Sequence, residues 1–351
     1  MPAQPSPHIR SASASPGAAL ASETPPAVLR ADLSAVVATL RAAGCVFAED
    51  EAELLAATAR TPAELTAMVD RRTAGLPLEH VLGWAEFCGL RVAVDPGVFV
   101  PRRRTEFLVH RAAALARPGS VVVDLCCGSG ALGAALDEAL GGVELHAADI
   151  DPAAVACARR NLAALGGRVY RGDLYEPLPA ALRGRVDVLL ANVPYVPTGD
   201  ITLLPPEARL HEARVALDGG VDGLAVLRRV AAGAPLWLAP GGRLLFETSG
   251  RQVPSAVGIV TRAGLVPEVA VCEELDATVV VATRPPGRPS VRVDRADRTD
   301  RMDRGDRVDR GDRVDRVDRA DRADRADRGD RADRVPPYGA GGAASEGRPG
   351  G

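Results

Sequence analysis

The sequence predicts an α/β fold: a mostly parallel sheet with helices, preceded by a small helical segment and a β-hairpin. Three observations predict it. Continuous apolar runs such as Val121–Leu125 and Val186–Ala191 read as strands buried on both faces. Helix-like stretches alternate with these runs, which is the pattern of a parallel sheet. The residues before Trp84 carry helix-face periodicity instead.

The chain has 351 residues, 46% of them hydrophobic, enough for a large core. Its formal net charge of -3 argues against a general attraction to nucleic acid or anionic membrane. All 43 basic residues other than histidine are arginine. The six cysteines form no CxxC pair, which predicts a reduced, cytoplasmic, metal-free protein. No apolar run has the length of a membrane span, and no basic region leads into an apolar one at the N-terminus.

Residues 1–26, rich in Ser, Ala and Pro, predict a disordered leader. Residues 27–83 predict a helical substrate-docking domain. Val28, Leu29, Leu33, Val36, Val37 and Leu40 share a helix face. Thr61-Pro62-Ala63-Glu64 reads as a capping box with proline at the first helical position. Residues 84–104 predict a hairpin linker whose strands flank Asp95-Pro96-Gly97. It ends in Arg102-Arg103-Arg104, either a solvated face or a site for phosphate or an acidic partner.

Residues 105–284 predict the sheet domain. Val121–Leu125 runs into Cys126-Cys127-Gly128-Ser129-Gly130, a tight turn ahead of a helix over 131–140. This is neither a P-loop nor a full dinucleotide fingerprint. Asp124 ends the strand with a carboxylate, which suits a cationic ligand and points to S-adenosylmethionine. The next strand ends at Asp149, 19 residues past Gly130, where an acid can grip ribose hydroxyls. Asp151-Pro152 caps the following helix. Asp173 follows a third strand, placed to accept from an adenine amine while Leu174 packs on the ring. Each acid alone reads equally well as a cap; three in register carry the assignment. Val186–Ala191 then leads into Asn192-Val193-Pro194-Tyr195, a rigid corner just past a strand end, where ligands bind in open α/β sheets. Residues 196–222 predict a Pro-rich lid loop. Helices over 224–232 and 252–263 and a final antiparallel strand pair complete the domain. Residues 285–351, with 14 Asp-Arg pairs, predict a disordered, charge-balanced tail.

The chain from about residue 27 to 284 resembles the bacterial protein-(glutamine-N5) methyltransferases, which methylate peptide-chain release factors. Pro77–Gly83, Phe87–Leu90 with Val98–Arg102, Asp124–Gly130 and Asn192–Tyr195 carry the resemblance. So do Pro240-Gly241-Gly242, Glu247 and Gln252. Departures mark a diverged subgroup. Val193 stands in place of a proline, Arg103 and Arg104 replace a proline and an acid, and Cys126 replaces the first glycine of the turn. Glu212-Ala213 stands for a Glu-Pro. The resemblance implies a class I S-adenosylmethionine-dependent methyltransferase (Rossmann-like) fold, with a release factor as the protein substrate and no metal. It implies that Asp124, Cys126, Cys127, Gly128, Ser129, Gly130, Asp149, Asp173, Leu174 and Asn192 line the cofactor site. The Asn192 side-chain oxygen and the carbonyl of Val193 would hold the acceptor amide. Pro194 would keep the corner rigid, and Tyr195 would stack on the amide. The alternative is methylation of an adenine or guanine amine in nucleic acid, since a planar NH2 fits the same corner. A third reading is a non-enzymatic scaffold whose tail binds partners.

Overall fold

The computed structural model describes residues 33–286. The expected leader, Val28, Leu29 and nearly all of the Asp-Arg tail lie outside the described residues.

Three helices, Leu33–Ala42, Ala48–Thr58 and Pro62–Thr73, and a short fourth, Leu78–Leu82, form the N-terminal segment. They share a core of their own around Leu40, Leu55, Met68 and Val81. Glu49, Asp50 and Glu51 occupy the first turn of the second helix, where the helix dipole favours acids. Thr61 caps the third helix by accepting from the Glu64 N–H at 3.1 Å. The Glu64 carboxylate reaches back to the N–H of Arg60 at 2.8 Å, one residue earlier than the usual box. Arg72, near the end of that helix, is buried. It grips Glu51 through Nε and Nη2 at 2.6 and 3.1 Å and donates to the Leu76 carbonyl at 3.0 Å. It also donates to Glu207, far along the chain, at 2.6 Å.

The hairpin differs from expectation. Its strands are β1 (Trp84–Phe87) and β2 (Leu90–Ala93), paired Trp84↔Ala93 through Phe87↔Leu90. The turn is therefore Cys88-Gly89, with φ of 50° and 75°. Two left-handed residues match the twist of a two-residue hairpin, whereas a proline turn does not. Asp95-Pro96-Gly97 does turn, with Val98 N–H on the Asp95 carbonyl at 3.1 Å. The chain beyond it forms no strand against β2 and crosses towards the sheet.

The main sheet has the order β5-β4-β3-β6-β7-β9-β8. Strands β3 (Val121–Leu125), β4 (Glu144–Asp149), β5 (Arg168–Arg171), β6 (Val186–Ala191) and β7 (Leu238–Glu247) are parallel. Strands β8 (Val266–Cys272) and β9 (Ala277–Thr283) are antiparallel. Val123, Leu125, Leu189 and Ala191 pack on one face, and Val122, Val188 and Leu190 on the other, so the strands read as unbroken apolar runs. Pro240-Gly241-Gly242 lies inside β7. The pairing there jumps from Val186↔Leu238 to Val188↔Arg243. A Cβ on Gly242 would come within 2.5 Å of the Val186 carbonyl, so this bulge requires glycine. The chain reverses its winding between β3 and β6, which opens a crevice at their carboxyl ends. Among the described residues no helix is long and apolar enough to cross a membrane.

Arg72→Ala would leave Glu51 buried without its cation. Denaturant unfolding should show a loss of about 3–5 kcal/mol.

Candidate active site

The crevice holds a cavity of about 400 Å³. One wall is the turn after β3. Cys126, Gly128 and Gly130 all have positive φ, at 56°, 55° and 80°. Gly130 donates to the Cys127 carbonyl at 2.7 Å and opens the helix Ala131–Leu140. A Cβ on Gly130 would sit 3.1 Å from Leu162, so the turn and the next helix pack too closely for a side chain. Burial pushes the Cys126 and Cys127 thiols well above their ordinary range, with nearby carboxylates adding to it, so neither is a ready nucleophile.

Two acids shape this turn from below. Asp149 accepts the Gly128 N–H through Oδ2 and the Asp151 N–H through Oδ1, both at 2.9 Å. Asp151 in turn caps the helix Pro152–Leu162 through Ala153 N–H at 2.9 Å. Asp124 is fully buried and does not reach the cavity wall. Its Oδ2 accepts the Gly133 N–H at 3.2 Å, and its Oδ1 has no partner among the described residues. Burial pushes its carboxyl up to about 7. Asp173 and Leu174 both face the cavity. Asp173 is already paired with Arg229 at 2.6 Å. Leu174 has a φ of 50°, an uncommon conformation for leucine that turns its side chain against the cavity.

Opposite this wall stands the corner after β6. Asn192, Val193, Pro194 and Tyr195 all line the cavity. The Asn192 amide has no hydrogen-bond partner among the described residues and faces open space. Val193 and Pro194 are buried. Gln252 Nε2 donates to the Tyr195 carbonyl at 2.9 Å and to the Asp222 carbonyl at 3.2 Å. Gly223, at φ 73°, lies so close that a Cβ would come within 2.2 Å of the Tyr195 carbonyl oxygen. A Cβ on Gly219 would lie 2.6 Å from the Pro194 carbonyl oxygen. The Tyr195 hydroxyl donates to Glu247 Oε1 at 2.8 Å and accepts from Arg104 at 2.7 Å. Burial raises the phenol above its ordinary range, and Glu247 adds to the effect, so it stays protonated.

The arginine run is only in part a solvated face: Arg103 is exposed, while its two neighbours are paired. Arg102 pairs with buried Glu212 at 2.5 Å and lies over the Phe99 ring, and Arg104 pairs with buried Glu247 at 2.9 Å. The expected lid loop contains helical turns over Thr198–Leu203, Pro206–His211 and Arg214–Leu217. It is tied down at Glu207 by Arg72 and at Glu212 by Arg102 and the Val100 N–H, the last at 3.3 Å. Ala213 N–H donates to the Gly97 carbonyl at 3.0 Å. His211 does not line the cavity. Sequence reasoning missed the roles of Arg229, Glu207, Gly219 and Gly223, and of Arg104 as a partner of Tyr195. Tyr195–Glu247 spans 52 positions and Arg104–Glu247 spans 143, so no local pattern announces them.

The residues present fit S-adenosylmethionine. Acids lie at the ends of β3 and β4, open space surrounds the Cβ position of Gly128, and Leu174 gives the cavity an apolar wall. Among the described residues no group of three or more His, Cys, Asp or Glu is placed to hold a metal ion.

Residues 89–235 match the family model described as "Methyltransferase small domain". A protein named "Release factor glutamine methyltransferase" from Geobacter sulfurreducens is 40% identical over 208 residues, covering 58% of this chain and 72% of that one. The protein of that name from Mycolicibacterium smegmatis is 39% identical over 247 residues, 64% of this chain and 87% of its own. Its counterpart from Cereibacter sphaeroides is 38% identical over 262 residues, covering 70% and 93%. The chain belongs to the release factor glutamine methyltransferase family. Asn192 and the glycine-rich turn line the same cavity.

Gly223→Ala should push the Tyr195 carbonyl out of place. Turnover should fall by about 10²-fold, with the far-ultraviolet circular dichroism spectrum retained. Asp124 gives a second test. It keeps its proton in the folded chain up to about pH 7, but loses it near 3.8 when unfolded. Its contribution to stability is therefore full below about pH 4 and is lost as pH rises to 7. Asp124→Asn mimics the protonated form. Ligand-free thermal melts should show the variant gaining on the parent between about pH 4 and 7, by about 1.4 kcal/mol per unit of the shift.

Proposed function

We propose that this chain transfers a methyl group from S-adenosylmethionine to the side-chain amide nitrogen of a glutamine in a peptide-chain release factor, in the cytoplasm. The observation that carries this is the Asn192 amide, without a hydrogen-bond partner among the described residues, at a rigid corner facing the glycine-rich turn across one cavity.

The cofactor supplies an activated methyl group. The chain has to make a poor nucleophile attack in line, because the lone pair of a carboxamide nitrogen is delocalised into its carbonyl. Asn192 Oδ1 and the Val193 carbonyl accept the two amide hydrogens and aim the nitrogen. As positive charge develops on that nitrogen, both acceptors bind it more strongly, which lowers the barrier selectively, and the methylated nitrogen then gives one of its two protons to solvent. The Tyr195 ring stacks on the amide plane and excludes water. The turn at 126–130, Asp149, Asp173 and Leu174 hold the cofactor opposite. Val193 keeps the backbone carbonyl that a proline would offer, and Pro194 after it keeps residue 193 extended. Arg102 and Arg104 spend their charge on Glu212 and Glu247, which weakens the nucleic-acid reading.

Tritiated methyl transfer should label release factor, and replacing its target glutamine should abolish the label. Label in RNA or DNA instead would favour the alternative. Asn192→Ala should retain cofactor affinity and lose about 10²–10³ in kcat. Full activity in that variant would remove Asn192 from the reaction.

A further inference from the structure

Tyr195 is held by a closed triangle of groups that the methyl-transfer reading does not use. Its hydroxyl donates to Glu247 Oε1 at 2.8 Å, Arg104 donates to that hydroxyl at 2.7 Å, and Arg104 Nε donates to the same Oε1 at 2.9 Å. Thr105 donates to the other carboxylate oxygen, Oε2, at 2.7 Å. The partners differ in burial. The Glu247 side chain is 4% exposed, whereas that of Arg104 is 46% exposed and lies on the cavity wall. Thr105 and Tyr195 already give Glu247 two hydroxyl donors, so satisfying the carboxylate does not require the guanidinium. The guanidinium instead supplies a donor to the phenol oxygen from the cavity side. With Glu247 on one side and Arg104 on the other, that oxygen has both its donor and its acceptor role filled. The ring tip is then fixed at two points, and a flat ring fixed at its tip has one orientation towards the cavity.

We propose that Arg104 is a positioning residue for methyl transfer, acting through the Tyr195 hydroxyl to set the ring against the acceptor amide. The proposal rests on the acceptor assignment made above. The guanidinium touches neither the reacting nitrogen nor the methyl group. It fixes the surface on which the acceptor lies, so its loss affects the rate of the bound complex and leaves its formation intact.

The test is a double-mutant cycle on the full chain with release factor as acceptor, using Arg104→Ala, Arg104→Lys, Tyr195→Phe and the double variant of the first and third. Arg104→Ala should lower kcat by about 10- to 100-fold. The KM for release factor and the Kd for S-adenosylmethionine should stay within about twofold of the parent. Arg104→Lys, which keeps a donor, should recover part of the rate. In the Tyr195→Phe background, Arg104→Ala should have no further effect on kcat. Thermal melts check that each variant is folded. Additive losses in the double variant would overturn the proposal, as would a loss confined to KM or an unchanged kcat in Arg104→Ala. If the parent chain fails to label release factor, the acceptor assignment falls and takes this proposal with it. An active parent with an indifferent Arg104→Ala variant sinks only the proposal.

Discussion

The active corner depends on one hydrogen bond, from the Gln252 side chain to the Tyr195 carbonyl at 2.9 Å. Residues 192–195 have left the sheet, so no strand ladder fixes them. Their geometry has to come from side chains and from space. Gln252 supplies the first and Gly219 and Gly223 the second. Gln252 stands at the start of the helix Val253–Arg262, whose Ala256, Ile259 and Val260 are in the core beneath the sheet. The Ser249 hydroxyl donates to the Gln252 side-chain Oε1 at 2.7 Å, so the amide is held at both ends. The corner is therefore tied to the core at the Tyr195 carbonyl by the Gln252 amide, and at the Tyr195 hydroxyl by Glu247 and Arg104.

The lid obeys the same rule at longer range. Arg72 fastens Glu207 and Arg102 fastens Glu212, so the lid's middle stretch is tied to the helical segment and to the strand-like stretch 97–102. Such partly buried pairs add little net stability, because desolvation of the buried partner, Arg72 in one and Glu212 in the other, offsets most of the attraction. What they supply is geometry, since a buried carboxylate without its cation is strongly disfavoured. The N-terminal helices thereby contribute to the cavity without reaching it: Arg72 is off the wall, while its partner Glu207 is on it.

The sequence carried the parts of the fold that repeat locally. Strands β3 and β6 and the helix over 131–140 stand where the apolar runs and the glycine turn put them, because continuous burial and helix period are local signals. The Thr61 and Asp151 caps were legible for the same reason. The hairpin turn was misplaced because Pro-Gly is a louder turn signal than Cys-Gly. Only the pairing of Phe87 with Leu90 shows that Cys88 accepts a left-handed conformation. In the site, the acceptor corner and the acids at 149 and 173 were found at the cavity. Asp124 was found beneath it, bonded to a backbone N–H, with Asp173 already holding an arginine. The Asp173–Arg229 pair, like the pairing of Arg102 and Arg104, is set by partners more than 50 positions away, where charge patterning along the chain has no information.

The distribution of these arginines also explains where positive charge is wanted. Glu207, Glu212, Glu247 and Asp173 all stand at or near the cavity, and each has a guanidinium within 3 Å. Asp124 and Asp149, at the ends of β3 and β4, have none among the described residues and are held by backbone N–H groups alone. Burial raises both carboxyls above their ordinary range, as expected where negative charge lacks a counter-charge. Glu207, Glu212, Glu247 and Asp173 are thus each paired, while Asp149 lies under the glycine-rich turn with no guanidinium beside it among the described residues.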